Sequence, residues 1–206
     1  MKIKVCGMKK PENIVGIANL RPDFMGFICY EKSPRYIGHN IIKSINALSS
    51  EINKVGVFVN ASMEEIKDKS AAFGFDYIQL HGNESASFTK KLNEKGYSII
   101  KAFQTSANFD WSSLKTYTPF VDYFLFDTPT KQYGGSGKKF DWAILKNYTE
   151  QTPFFLSGGI TNNDIDTIKN LSFEQLIGID INSKYETEPG LKNIDLVKQT
   201  IKQIKK

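Results

Sequence analysis

Cysteine is scarce in this chain of 206 residues, and long apolar runs are absent from it. Cys6 and Cys29 are too few for a disulfide framework, and neither lies in a CxxC or His-paired spacing typical of a metal site. No segment reaches the roughly 18 uninterrupted apolar residues that a membrane-spanning helix needs. Met1–Lys10 also lacks the apolar core of a signal peptide, because its short apolar run gives way to lysines. The sequence therefore predicts a soluble, cytoplasmic protein with free thiols.

Arginine is scarce as well, since only Arg21 and Arg35 occur among the 27 basic residues. The net charge of +5 is the modest difference between 27 basic and 22 acidic residues. Part of it comes from a lysine-rich helical face near the C-terminus, not from a clustered groove, so nucleic acid is not indicated. A basic balance would equally attract an anionic small substrate. Arg21, beside Pro22 in a loop, is expected to be solvated, whereas the sequence context of Arg35 leaves a solvated role and a binding role equally open.

Apolar runs of the β type alternate with helical patterns along the whole chain, at intervals of roughly 20 to 30 residues, as in βα units. Strands are predicted at Ile3–Cys6, Phe24–Cys29, Val55–Val59, Tyr77–Leu80, Ser98–Phe103, Tyr123–Asp127, Phe154–Ser157 and Leu176–Asp180. Helices are predicted at Glu12–Leu20, Asn40–Leu48, Met63–Phe73, Glu84–Lys95, Trp111–Tyr117, Asp141–Tyr148, Asn163–Asn170 and Leu191–Ile204, with Ser62 and Asn162 as N-caps. This pattern predicts an α/β fold, a closed (β/α)8 TIM barrel that forms a single domain over residues 1–206.

The alternation of side chains along each strand predicts which of them line the barrel. In the first strand, Lys4 and Cys6 lie opposite Ile3 and Val5, and the consistently apolar face should lie beneath the helices. The other face, which carries polar residues at strand ends, should line the barrel and its C-terminal mouth, where barrels of this kind hold their active sites. The residues predicted to converge at the mouth are Cys6, Asn60, His81 and Asp127, and those predicted to point inward lower down are Lys4 and Lys101.

The stretch Tyr123–Trp142 has the strongest signature of an active site in the chain. A buried run ends on Asp127, where a carboxylate lies at the edge of the core and its environment can tune its proton affinity. A polar loop with three glycines follows before a new amphipathic pattern. Its position predicts a lid loop, formed by Gly134, Gly135, Ser136 and Gly137.

Two further loops have the composition of a phosphate site. LSGGI at 156–160 ends the seventh strand with paired glycines, and GIDINS at 178–183 ends the eighth with amide and hydroxyl groups. Backbone N–H groups at such positions hold phosphate oxygens, and barrels of this type place a phosphate site after strands seven and eight. The predicted phosphate ligands are Gly158, Gly159, Asn182 and Ser183.

Six motifs together resemble the phosphoribosylanthranilate isomerases of tryptophan biosynthesis, in order and over nearly the whole chain. They are KVCGM at 4–8, GFICYEKSPRYI at 26–37, GVFVN at 56–60, IQLHGNE at 78–84, FDTPTKQYGGSGKKFDW at 126–142 and LSGGI at 156–160. The resemblance implies an Amadori rearrangement of N-(5-phosphoribosyl)anthranilate to the 1-(carboxyphenylamino)-1-deoxyribulose phosphate. It implies no metal and no nucleotide or redox cofactor.

The resemblance also implies roles for individual residues. Cys6 would be the general base, starting as a thiolate through a lowered pKa, and Asp127 the general acid. Arg35 would pair with the anthranilate carboxylate. Apart from the resemblance, His81 is expected to line the substrate site, and its neighbour Gln79 to orient other groups there. The chain departs from the family pattern D-x-S-S-G-x-E after the eighth strand, because Asn182 replaces the first serine and Lys184 the glycine.

Other interpretations stay open from the sequence. Another phosphoribosyl isomerase or the indole-forming synthase of the same pathway would keep the barrel, but would need a second carboxylate or a catalytic lysine at a strand end. A non-catalytic phosphosugar-binding barrel is the third possibility, since fold alone does not fix function. Cys29 is expected to be an inert buried thiol. The expected partner is the small phosphosugar-anthranilate substrate, with no nucleic acid and no membrane, and the protein is expected to be a monomer or a homodimer.

Overall fold

A computed structural model of the chain describes residues 1–38, 41–128 and 142–205. Within these ranges the strands are β1 (Lys2–Val5), β2 (Phe24–Ile28), β3 (Asn53–Phe58), β4 (Tyr77–Leu80), β5 (Ser98–Gln104), β6 (Tyr123–Asp127), β7 (Phe154–Leu156), β8 (Leu176–Ile181), β9 (Glu186–Glu188) and β10 (Leu191–Lys192). The α-helices are α1 (Pro11–Ala18), α2 (Ile42–Asn46), α3 (Met63–Phe73), α4 (Ala86–Asn93), α5 (Ile165–Lys169) and α6 (Ile194–Lys205). Short 3₁₀ helices lie at Trp111–Thr116, Thr118–Phe120, Trp142–Asn147, Asn162–Asp164 and Ser183–Tyr185.

Strands β1 to β8 are parallel and form a closed barrel, in which each strand pairs with the next and β8 pairs with β1. Strands with apolar residues on both faces suit such a sheet, because both faces are covered, and every residue of β2 is buried. The predicted (β/α)8 barrel is confirmed. Strands β9 and β10 form a small antiparallel ribbon after β8, which the sequence did not predict. Among the described residues, no helix is both long and apolar enough to cross a membrane.

The core has two layers, separated by the barrel wall. The outer layer lies between strands and helices, and helix α6 joins it through Val197, Thr200, Ile201 and Ile204, the spacing of one helical face. The inner layer fills the barrel. Near its N-terminal end, the ring of Phe24 meets the rings of Tyr77, Tyr123 and Phe155 at centroid distances of 5.5, 6.1 and 5.2 Å. This aromatic cluster closes the floor of the barrel and leaves the opposite end for polar groups.

Several predicted helices differ from the structure. The segment after β5 is 3₁₀, because Asp110 accepts hydrogen bonds from the backbone N–H and hydroxyl of Ser112, and Ser113 donates to the carbonyl of Asp110, so side chains compete with the α-helical pattern. Helix α6 begins at Ile194 because the preceding residues pair in the β9–β10 ribbon. The starts of two predicted helices, Asn40 and Asp141, lie outside the described residues.

The two predicted N-caps have different outcomes. Ser62 caps α3, because its hydroxyl accepts the Glu65 N–H at 3.1 Å, as predicted. Asn162 is not a cap. Thr161 takes that role one residue earlier, since its backbone N–H and its hydroxyl both donate to the Asp164 carboxylate, and Asn162 is the first residue of a 3₁₀ turn.

Two inward-facing predictions were wrong. Strand β3 is apolar on both faces, so polarity could not decide its orientation: Val57 and Val59 face the mouth, whereas Asn60 follows the strand with φ +52 and donates its N–H to Glu84 at 2.8 Å. Lys101 pairs in register with Leu80 and Phe124, which belong to the outer layer, so it lies beneath the helices.

Candidate active site

A pocket opens at the C-terminal ends of the strands and contains most of the predicted site. The predicted residues that line it are Cys6, His81, Asp127, Gly158, Gly159, Asn182 and Ser183. Gln79 is fully buried and contacts His81 from within β4. The side chain of Arg35 is held by Glu186, which lies in β9. The predicted lid residues Gly134, Gly135, Ser136 and Gly137 lie outside the described residues.

The carboxyl group of Asp127 is held from both sides. Its Oδ1 accepts the Thr128 N–H at 2.8 Å, and its Oδ2 lies 3.3 Å from His81 Nε2. Gln79 Nε2 lies 2.7 Å from His81 Nδ1. We assign the amide as the donor to Nδ1, which leaves the imidazole proton on Nε2, directed at Asp127. A chain of contacts therefore runs from the barrel interior through His81 to the carboxyl at the mouth.

Cys6 lies on the β1 side of the same pocket, beside a buried ion pair. The ammonium of Lys4 contacts Asp180 Oδ1 at 2.9 Å, and the Ser157 hydroxyl donates to Asp180 Oδ2 at 3.4 Å. Burial raises the pKa of the Cys6 thiol, and the Lys4 ammonium only partly offsets it. The expectation of a lowered thiol pKa was therefore wrong, because the loss of solvation on burial raises the pKa more than the nearby Lys4 ammonium lowers it.

The partners of Cys6 also have shifted pKa values. Burial raises the pKa of Asp180, against the opposing effect of Lys4. For Lys4 itself, burial acts to lower the pKa, but Asp180 and Cys6 outweigh it and the pKa is raised. Sequence reasoning assigned no role to Asp180. Its position at the end of β8, one strand from Cys6, was the available signal.

A second, largely buried set, which we call the rim cluster, consists of Arg35, Asn182, Glu186 and Lys192. Arg35 donates from Nε and Nη2 to Glu186, at 2.9 and 2.6 Å. Lys192 donates to Glu186 Oε1 at 2.6 Å and to Asn182 Oδ1 at 2.7 Å. A Cβ on Gly7, whose φ is +77, would lie 2.6 Å from Asn182 Oδ1 and 2.8 Å from Arg35 Cδ, so only glycine fits there. The predicted partner of Arg35 was a substrate carboxylate, and the structure gives it Glu186.

The loop after β7 has the geometry that a phosphate site requires. Gly158 and Gly159 have φ of +92 and +66, which glycine adopts readily. A Cβ on Gly158 would lie 2.1 Å from the Thr128 hydroxyl, so the loop also passes too close for a side chain. Ser183 and Lys184, in the 3₁₀ turn after β8, line the pocket on the adjoining side. In the described part of the chain, no group of three His, Cys, Asp or Glu side chains could hold a metal ion.

Comparison with known proteins gives one consistent result. The family model of N-(5'phosphoribosyl)anthranilate (PRA) isomerase matches residues 3–203. The N-(5'-phosphoribosyl)anthranilate isomerase of Parabacteroides distasonis is 47% identical over 206 residues, covering 99% of this chain and 93% of the relative. The crystal structure of phosphoribosyl anthranilate isomerase from Thermotoga maritima superimposes with a TM-score of 0.87 at 31% identity, covering 100% of this chain and 98% of the other.

A further solved structure contains a ligand. It is a phosphoribosyl anthranilate isomerase in complex with reduced 1-(o-carboxyphenylamino)-1-deoxyribulose 5-phosphate. It is 28% identical to this chain, with a TM-score of 0.84 and coverage of 100% of this chain and 98% of the other.

Proposed function

The chain belongs to the N-(5'-phosphoribosyl)anthranilate isomerase family, and we propose that its barrel mouth performs this isomerisation with Asp127 as acid and Cys6 as base. The family reaction is the Amadori rearrangement of N-(5'-phosphoribosyl)anthranilate in tryptophan biosynthesis. The observation that carries the proposal is the placement of Cys6 and Asp127 on different sides of one pocket that also contains the glycine loop after β7.

The phosphate of the substrate would bind between the loops after β7 and β8. Gly158 and Gly159 present backbone N–H groups without side chains in the way, and Ser183 adds a hydroxyl donor. The carbonyl oxygen of the Asn182 amide accepts from Lys192, so its N–H₂ group is the part that a phosphate oxygen would meet. Anchoring the phosphate in this way fixes the sugar over the centre of the barrel.

The anthranilate carboxylate would lie toward Arg35. The Glu186 carboxylate accepts hydrogen bonds from Nε and Nη2 of the guanidinium, and Nη1 is not part of this interaction. In the proposal, Nη1 meets the substrate carboxylate while Glu186 fixes the plane of the guanidinium. Arg35 is therefore a preordered partner whose orientation is set before substrate arrives.

Asp127 would start the reaction by protonating the ring oxygen of the ribose, so that the C1–O bond breaks and an open-chain Schiff base forms. His81 is the group that holds a proton next to the carboxyl, at 3.3 Å. Gln79, through Nδ1, keeps the imidazole in place. Asp127 enters this step as the carboxylic acid and leaves it as a carboxylate, which the neighbouring His81 Nε2–H then stabilises.

Cys6 would then remove the proton from C2 of the open-chain form. The electrons move into the C1–C2 bond, the nitrogen of the Schiff base becomes an amine, and an enolamine results. The enolamine relaxes to the ketone by transfer of the hydroxyl proton and protonation at C1. The step requires Cys6 to accept a proton, so the thiolate is the active form.

Lys101, which was predicted to lie inside the barrel, lies beneath the helices and is paired with Glu84 at 2.9 Å, so it does not supply the catalytic lysine that an indole-forming synthase would need. We also propose the cytoplasm as the compartment and a monomer or a homodimer as the assembly.

The test is the loss of anthranilate-adduct fluorescence in Cys6→Ser and Asp127→Asn variants. Each should lower kcat by about 10² to 10⁴, the contribution of a positioned acid or base. Cys29→Ser is the matched control, because Cys29 is buried outside the pocket and should leave kcat near wild type. Thermal melts check that all three variants are folded. Turnover at the wild-type rate by both Cys6→Ser and Asp127→Asn would remove the proposed acid–base pair.

A further inference from the structure

Lys4 is a fully buried lysine that the proposed steps leave without a role. Its side chain lies inside the barrel with 0% exposure, and its ammonium contacts Asp180 at 2.9 Å. A lysine without solvent needs a specific reason to keep its charge, since burial alone favours the neutral amine. A second polar neighbour beside Asp180 would supply that reason.

The position of Gly26, in the adjoining strand β2, shows that this second neighbour is the sulfur of Cys6. A Cβ built on Gly26 would lie 2.7 Å from Cys6 Sγ and 3.0 Å from Lys4 Nζ. The sulfur and the ammonium therefore flank one small space that the absent side chain leaves open. The φ of Gly26 is not positive, so the backbone does not require glycine, and the close approach of these two groups is the physical reason for it.

Cys6 needs a cation at this place. Burial opposes the thiolate, and the groups that act on the sulfur are Lys4, Asp180 and Lys192. Of these, Lys4 favours the thiolate most, Asp180 opposes it, and Lys192 adds a smaller favourable effect. His81 and Asp127 line the same pocket, and Asp127 acts against ionisation of Asp180. Without Lys4, burial and Asp180 would both oppose the thiolate, and only the smaller effect of Lys192 would favour it.

We propose that Lys4 is the positioning residue for the base: its ammonium is the counter-ion that lets Cys6 exist as a thiolate, and Asp180 holds that ammonium against the sulfur. This inference rests on the proposed role of Cys6. In it, Lys4 never contacts the substrate. It sets the fraction of Cys6 that is ready to accept a proton, and it does so from the closed side of the barrel.

The experiment measures the Cys6 thiolate directly, in a Cys29→Ala background that leaves one thiol. The rate constant of alkylation by iodoacetamide is followed against pH, since only the thiolate reacts. An opposite charge at this range shifts a pKa by about one unit or more, so Lys4→Met should slow alkylation at least about tenfold at each pH below the midpoint. Lys4→Gln is the second variant, because it keeps a donor for Asp180 if the methionine variant fails to fold.

The matched control is Lys101→Met, which removes the other buried lysine with a carboxylate partner at 2.9 Å but lies outside the barrel. It should leave the alkylation profile where it was. The kcat/KM profile of Lys4→Gln should move to higher pH together with its alkylation profile. Alkylation of the folded Lys4 variants within about twofold of wild type would overturn the inference, as would an equal loss in Lys101→Met.

The two proposals fail in different ways. If Cys6→Ser isomerises the substrate at the wild-type rate, the proposed base is wrong, but the alkylation profiles still measure the coupling of Lys4 to the sulfur. If Cys6→Ser is inactive and Lys4→Gln alkylates like wild type, the base stands and the counter-ion is wrong.

Discussion

Two buried lysines in this molecule have the same partner distance and opposite electrostatics. Lys4 pairs with Asp180 inside the barrel and Lys101 with Glu84 outside it, both at 2.9 Å. Yet the pKa of Lys101 is lowered, because burial outweighs its carboxylate, while that of Lys4 is raised, because Cys6 adds a second anionic group to Asp180. The difference teaches that two buried lysines at the same distance from a carboxylate can differ in the direction of their pKa shift when a further anionic group, here Cys6, lies beside one of them.

The outer pair has the contacts of a structural clamp. Lys101 also donates to the carbonyls of Leu80 and Gly82, and Glu84 accepts the backbone N–H groups of Asn60 and Gly82. These bonds join the ends of β3 and β4 to β5 at the base of the loop that follows His81. The clamp therefore fixes the backbone, whereas the inner pair lies beside the Cys6 sulfur.

The largest expected effect comes from breaking the outer pair. Glu84→Gln leaves Lys101 buried without a counter-charge, which should lower the free energy of unfolding by about 3 to 5 kcal/mol. Urea denaturation measures this. The kcat/KM profile of the folded enzyme against pH should not move, since no reacting group changes its neighbours.

Glu94→Gln is the matched control for the outer pair. Glu94 forms an ion pair with Lys90 at 3.7 Å, with its side chain 59% exposed. Its loss should change the free energy of unfolding by no more than about 0.5 kcal/mol. If Glu84→Gln has wild-type stability but a shifted profile of kcat/KM against pH, the outer pair acts on the reaction and not on the fold, and the contrast between the two lysines is wrong.

The rim cluster should give an intermediate effect that depends on pH. Burial acts to raise the pKa of Glu186, but Arg35 and Lys192 outweigh it and the pKa is lowered. Glu186 therefore stabilises the fold fully above its ordinary pKa of 4.5 and loses this contribution as pH falls through its lower folded value. At neutral pH, Glu186→Gln should lower the free energy of unfolding by about 2 kcal/mol.

The pH dependence is the sharper part of that test. The difference in unfolding free energy between wild type and Glu186→Gln should shrink as the solution is acidified, measured by urea denaturation at a series of pH values. Glu188→Gln, exposed on the same ribbon, is the control and should show no such trend. A constant difference at all pH values would mean that the charge of Glu186 does not act through Arg35 and Lys192.

The sequence was sufficient to predict which side chains point into the barrel where one face of a strand is apolar and the other is mixed. Lys4, Cys6 and Asp127 were placed inside the barrel correctly, because β1 and β6 each have one face of large apolar side chains. The same rule failed for β3, where Val57 and Phe58 are both apolar and a polar residue after the strand was mistaken for an inner one. Alternation defines two faces but does not say which one is inside.

Partners were harder to predict than positions. Lys4 meets Asp180 across the closure of the barrel, 176 residues away, and Arg35 meets Glu186 across 151 residues. Nothing local in the sequence specifies such pairs. Strand β10, which brings Lys192 to Glu186, was predicted as the start of the last helix, so the rim cluster was missed. The folded barrel is what brings these charges together.

A substitution of His81 tests whether residues at the mouth affect catalysis, whereas those of the outer clamp affect stability. His81→Gln removes the group 3.3 Å from the Asp127 carboxyl but breaks no buried ion pair with Lys101 or Lys4. We expect kcat to fall by about tenfold, less than the loss of the acid or base itself because His81 acts through Asp127, with KM and the free energy of unfolding nearly unchanged. Steady-state kinetics measure kcat and KM, and urea denaturation measures the free energy of unfolding. Loss of stability without loss of kcat would make His81 part of the clamp.

The smallest effect should come from Lys184, a lysine at the mouth that is exposed, unlike the buried Lys4 and Lys101. Its charge lies beside the proposed phosphate loops but remains in water, where salt screens it beyond about 8 to 10 Å. Lys184→Ala should therefore raise KM only a few-fold at low ionic strength and leave kcat unchanged. Lys115→Ala, also exposed but on a 3₁₀ helix outside the pocket, is the control. Because solvent screening is the reason for the small effect, it must vanish as salt is added; a KM difference that persists at high salt would mean that Lys184 binds the phosphate directly.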